Sequence, residues 1–125
     1  MSHFTTIQTQ VRDLDALRSA LGELGVTLHE KTNARGYAGN QLKGDYVIRL
    51  KGPYDIAVNK TSDGSYGLTT DWWDGHVEKE VGGKFGRLLQ LYGIHKTMIE
   101  ARKRGHLVQR KAQRDGSIKL TIGGV

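Results

Sequence analysis

Residues 54–71 read Tyr54-Asp55-Ile56-Ala57-Val58-Asn59-Lys60-Thr61-Ser62-Asp63-Gly64-Ser65-Tyr66-Gly67-Leu68-Thr69-Thr70-Asp71. Two β-prone runs, 54–60 and 65–71, flank Ser62-Asp63-Gly64. An Asp-Gly turn between such runs predicts an antiparallel hairpin. Upstream, Gly52-Pro53 breaks the chain, because proline cannot donate to a ladder. Before it, Tyr46, Ile48 and Leu50 alternate with Val47 and Arg49, the period of a strand. Residues 32–44 hold Gly36, Gly39 and Gly44 among several amides and read as a loop.

Further upstream, residues 3–11 are rich in β-branched side chains, and Ile7, Thr9 and Val11 share one face. This predicts a first strand. Asp13 is a candidate N-cap for a helix whose Leu14, Leu17, Leu21 and Leu24 recur at spacings of three and four. Gly25 stops it, and Val26 and Leu28 begin another strand. Downstream, Asp74-Gly75-His76 is a break. Val81, Phe85, Leu88, Leu89, Tyr92, His95, Met98, Ile99 and Arg102 then follow helical spacing across 78–104. Gly82-Gly83 and Gly93 admit either two helices or a kink. After Gly105, residues 107–112 and 117–122 flank Arg114-Asp115-Gly116, a second hairpin. Gly123-Gly124-Val125 reads as a frayed end.

Two helices, each followed by strands with hairpins between, predict an α+β fold: a ferredoxin-like sandwich with an antiparallel sheet, two helices on one face and a C-terminal hairpin. Its 125 residues suffice for one domain and one core. No apolar run approaches the roughly 18 residues of a membrane helix. Met1-Ser2-His3-Phe4 carries neither a charged lead nor an apolar core, so a cytoplasmic setting is expected. Cysteine is absent, which removes disulfides, thiolate nucleophiles, iron–sulfur ligation and Cys-type zinc sites.

The net charge of +6 is unevenly placed. Residues 96–119 hold Lys96, Arg102, Lys103, Arg104, Arg110, Lys111, Arg114 and Lys119 against only Glu100 and Asp115, and the rest of the chain is neutral. Such asymmetry favours an acidic partner. Arg102, Lys103 and Arg104 also complement a helix C-terminus, so a solvated face and a docking face are both open readings. The segment contains no Phe, Tyr or Trp to stack on bases.

Asp71-Trp72-Trp73-Asp74-Gly75-His76 admits two readings. One is a small acid–base site formed by Asp71, Asp74 and His76. The other is structural: one Trp closes the core, the other covers a sheet edge, and the acids cap the next helix. An exposed Trp would instead anchor a partner. In Arg35-Gly36-Tyr37-Ala38-Gly39, no Gly-Lys-Ser/Thr follows, so the glycines serve turns, while Arg35 and Tyr37 together suit an anion or a flat ring. His3, His29, His76, His95 and His106 form no His-x-x-x-His pair, and no Gly-x-Ser-x-Gly elbow exists. No metal or cofactor is expected.

Several stretches carry a family resemblance: the opening residues 1–10, Gly22-Glu23-Leu24-Gly25, Arg35-Gly36-Tyr37-Ala38-Gly39, Tyr54-Asp55-Ile56, and Tyr66-Gly67-Leu68 leading into Asp71-Trp72-Trp73. In these the chain resembles the hypothetical chloroplast reading frame 35 family, whose members occur in plastids, cyanobacteria and other bacteria. The resemblance implies no assigned reaction. It implies an adaptor or assembly role near AAA-type ATPases, in the cytoplasm or, in an alga, the plastid stroma. The expectation is therefore a non-catalytic protein that docks an acidic partner. Trp72, Trp73, Arg35 and Tyr37 would form one contact and Arg102, Lys103, Arg104, Arg110, Lys111 and Arg114 another. The alternatives are a nucleic-acid binder using those same cations, and a small enzyme using Asp71, Asp74 and His76.

Overall fold

The computed structural model describes residues 3–123. The elements run Phe4–Gln8 (β1), Leu14–Leu24 (α1), Thr27–Arg35 (β2), Gln41–Arg49 (β3), Ile56–Lys60 (β4), Tyr66–Asp71 (β5), Glu78–Val81 (α2), Gly86–Lys103 (α3), Leu107–Ala112 (β6) and Ile118–Gly123 (β7). The first five strands form one antiparallel sheet in the order β1-β5-β4-β3-β2, and β6 and β7 form a separate hairpin. This is the predicted α+β sandwich, consistent with a ferredoxin-like arrangement, with its C-terminal hairpin. Of the frayed end expected at Gly123-Gly124-Val125, Gly123 instead closes β7, and Gly124-Val125, like Met1-Ser2, lie outside the described residues.

The Asp63-Gly64 turn forms as read. Asp63 Oδ1 accepts hydrogen bonds from Ser65 N at 2.9 Å and Ser65 Oγ at 2.6 Å, an Asx turn that aligns β4 with β5. Those bonds, with one from Thr61, hold the Asp63 carboxyl well below the usual range. Along the hairpin, Ile56, Val58, Tyr66 and Leu68 point into the main core. There they meet Leu17 and Leu21 of α1 and Leu88 and Leu91 of α3. Helix α1 begins where Asp13 Oδ1 accepts from the amides of Asp15 and Ala16, and Gly25 ends it at φ 72°. The Tyr92 hydroxyl accepts from the Arg12 and Asp13 amides and ties α3 to the start of α1.

The long helical pattern divides at its glycines. Between α2 and α3, Gly82, Lys84 and Phe85 all take positive φ, and helix α3 then runs through Gly93 without a break. Apolar residues cover about two thirds of the circumference of α3 at 100° per residue. Such a helix needs more than one covering layer. The hairpin supplies the second: Ile118 and Leu120 pack against the main core, and Gly116 O accepts from Gln90 Nε2.

Residues 32–44 depart from the loop expected of them. They extend β2 and β3 into a hairpin arm, paired as far as Arg35 with Gln41. The arm bends where Lys31 takes φ 48° and where Gly44 and Asp45 lie opposite. Its outer half then swings over the face of the sheet that the helices leave bare. Ala34 is buried there with Val47 and Ala57, and Gly36 sits against the Phe4 ring of β1. A Cβ at Gly44 would strike the Tyr46 carbonyl oxygen, a backbone atom that cannot turn aside. Gly44→Ala is therefore expected to cost about 3 kcal/mol, read by urea unfolding. Gly39→Ala, open in space but at φ 79°, is the milder comparison.

Candidate functional site

Strand β5 delivers two tryptophans to opposite sides of the sheet. Trp72 turns to the helix side, where its ring lies 4.7 Å from that of Phe85. Trp73 turns to the arm side, where its ring lies 5.5 Å from Tyr37 at 58°. Trp72 thus closes the core, and Trp73, 45% exposed, does not. The acids flanking them do not cap the following helix as expected. Asp71 is buried and accepts from Tyr37 N at 3.1 Å and Trp73 N at 3.0 Å. Asp74 adopts φ 58° and approaches His76 Nε2 at 3.7 Å. His76 in turn packs edge-on to Tyr54 at 5.3 Å. Asp71 is thus committed to two backbone amides, while Asp74 and His76 face each other only loosely. Among the described residues no group of three or more His, Asp or Glu side chains could hold a metal ion.

Arg35 is not a free anion receptor in a loop. It ends β2 and forks onto Asp55, Nε to Oδ2 and Nη2 to Oδ1, both at 2.8 Å. Arg49 reaches Asp55 at 3.0 Å, and the amides of Arg35 and Leu50 donate to the same carboxylate. Asp55 is fully buried. Burial pushes its carboxyl upward, and the hydrogen bonds and charge of Arg35, with those amides, pull it further down, so the net shift is below the ordinary value. The same pairing raises Arg35. Asp55 is a residue that the sequence reading passed over. It bolts the arm to the sheet, and a lone Asp before an apolar run gives no local sign of that task.

The cations of the C-terminal quarter separate into tied and untied groups. Arg110 reaches inward to Glu23 of α1 at 2.9 Å, and His95 of α3 shares that carboxylate. The Arg110 hydrogen bond, opposed by burial and helped by His95, lowers the Glu23 carboxyl. Lys96 bridges Asp13 and Glu100, and Lys103 lies 3.9 Å from Glu100. Arg102, Arg104, Lys111, Arg114 and Lys119 are exposed, and none has a carboxylate within 4 Å among the described residues. Strand alternation explains the split: Arg110, paired with Leu120, faces the helices, while Lys111 and Lys119 pair directly on the outer face. Arg104 also lines a groove of about 440 Å³ with Lys96, Ala101, His106 and Ile122. The aromatic pair and this basic hairpin therefore lie on different sides of the molecule, Tyr37 and Trp73 beside the arm, the cations on the helix side.

Both surfaces belong to a mixed α+β module in which, among the described residues, no helix is long and apolar enough to cross a membrane. Residues 20–121 match the family model described as protein of unknown function (DUF1257), and the chain belongs to that family. It is 33% identical to the uncharacterized protein ycf35 of Pyropia yezoensis over 126 aligned positions, covering 98% of this chain and 96% of that protein. The ycf35 proteins of Guillardia theta and Cyanophora paradoxa are 30% and 27% identical over the same shares of each chain. No solved structure matches the chain.

Proposed function

We propose that the protein is a non-catalytic binding module that docks an acidic protein partner through its C-terminal quarter. The observation carrying this reading is the direct pairing of Lys111 with Lys119 across the β6–β7 ladder. Like charges facing each other in an antiparallel pair are unfavourable. Their repulsion gains the fold nothing, and no carboxylate offsets it among the described residues. Arg114 at the turn, with Arg102 in the last turn of α3 and Arg104 just after it, extends the positive surface. An anionic partner converts that repulsion into attraction and speeds encounter. The adaptor or assembly role that the family resemblance implies makes AAA-type ATPases the first partners to test.

Affinity purification of the full chain, with and without nuclease, tests the proposal. One acidic protein is expected at stoichiometric yield, resistant to nuclease and released by raised salt. Recovery of nucleic acid alone, or of no stoichiometric partner, contradicts it.

A further inference from the structure

The Tyr37–Trp73 corner has the opposite polarity to the basic hairpin. Both rings are presented to solvent, 41% and 45% exposed. Their backbones are fixed by a single buried carboxylate, Asp71, which accepts one amide from each. The pair is thereby preorganised, and its cost of ordering on binding is small. The Asp74 side chain, next in the chain after Trp73, stands largely in solvent, with the His76 ring nitrogen Nε2 3.7 Å away. Burial holds the Tyr54 phenol above its usual range, and the nearby Asp71 and Asp74 carboxylates push it the same way. The guanidinium next in the chain, Arg35, is spent on Asp55.

Aromatic faces and a nearby carboxylate attract a cation twice over, through the ring quadrupole and through Coulomb's law. We infer that Tyr37, Trp73 and Asp74 form a recognition site for one arginine side chain on a partner protein. A planar guanidinium stacks on one ring while its N–H groups reach the Asp74 carboxylate. Lysine offers the charge without the plane and binds more weakly.

The test is NMR titration of the ¹⁵N-labelled full chain with the blocked tripeptide acetyl-Gly-Arg-Gly-amide, and with its citrulline counterpart, which keeps the shape and loses the charge. The arginine peptide should shift the Trp73 indole N–H and saturate, with the citrulline peptide at least about three-fold weaker, as expected for a cation–π contact. Trp73→Ala should abolish the remaining shifts near Tyr37, and Asp74→Asn should weaken binding by a similar factor while leaving the amide spectrum folded. Lys111→Glu should change nothing here, which separates this site from the basic hairpin. Equal binding of the citrulline peptide, or shifts confined to residues away from the corner, overturns the inference. Self-association of the protein alone that is lost in Trp73→Ala also overturns it, because the occupant would then be a second copy.

Discussion

Replacing Asp55 by alanine is expected to cost about 3–5 kcal/mol of folding stability, the range for removing one partner of a buried charge pair. The loss has two parts. Arg35 and Arg49 lose their counter-charge, although both are partly exposed and recover some hydration. The amides of Arg35 and Leu50 lose their acceptor in a place that water does not reach freely. Together they release the arm, so Ala34, Val47 and Ala57 lose their cover. The pH dependence has a definite sign. The Asp55 carboxyl titrates lower in the folded chain than in the unfolded one. Its contribution is therefore complete above the unfolded value near 4 and is lost as pH falls through the folded value. The gap in urea midpoint between wild type and Asp55→Ala should stay constant from neutral pH to about pH 4 and narrow below it. A gap that widens on acidification would contradict the assignment.

Phe85→Ala is expected to cost a similar amount, about 3–5 kcal/mol, through the lost ring and the cavity left behind. Phe85 is wholly buried, and Trp72 packs upon it at 4.7 Å. It also sits at φ 63°, a conformation that a bulky residue adopts only when its surroundings compel it. Burial of the ring compensates that backbone strain. Without the ring the connection from Gly82 to Gly86 has little reason to stay left-handed, and the start of α3 should loosen. Near-ultraviolet circular dichroism of the Trp72 environment, with thermal unfolding, reads both effects. A variant with an unchanged melting temperature would show that α3 does not depend on this contact.

Much of the fold was legible because it is written in local chemistry. Asp63-Gly64 and Asp115-Gly116 each mark a turn, and Asp13 and Gly25 bound α1. The leucines of α1 name its buried face. The arm was not legible. Its bend depends on a positive φ at Lys31 and on a close approach at Gly44, and neither is encoded by residue type alone. The glycines of residues 32–44 therefore looked like a loop, although they permit a strand to fold over a sheet. Asp55 was hidden for a related reason: its partners lie six and twenty residues away, brought together only by that bend.

The candidate surfaces were half legible. Charge asymmetry located the C-terminal quarter, and strand alternation within 107–112 already separates Arg110 from Lys111. Which of the two faces solvent depends on how the hairpin meets α3 and on Glu23, eighty-seven residues before Arg110. The adjacent tryptophans likewise had to point in opposite directions from the end of a strand. Only the placement of Phe85 and Tyr37 shows which is core and which is display.

The most direct measurement pairs partner capture with stability in one variant, Lys111→Glu. Opposite charges would then face each other across the ladder, and the thermal stability should hold or rise by about 0.2–1 kcal/mol. Capture of the acidic partner should fall sharply in the same sample. A variant that is equally stable and retains the partner at wild-type yield would contradict the account, since the paired lysines would then serve neither fold nor docking.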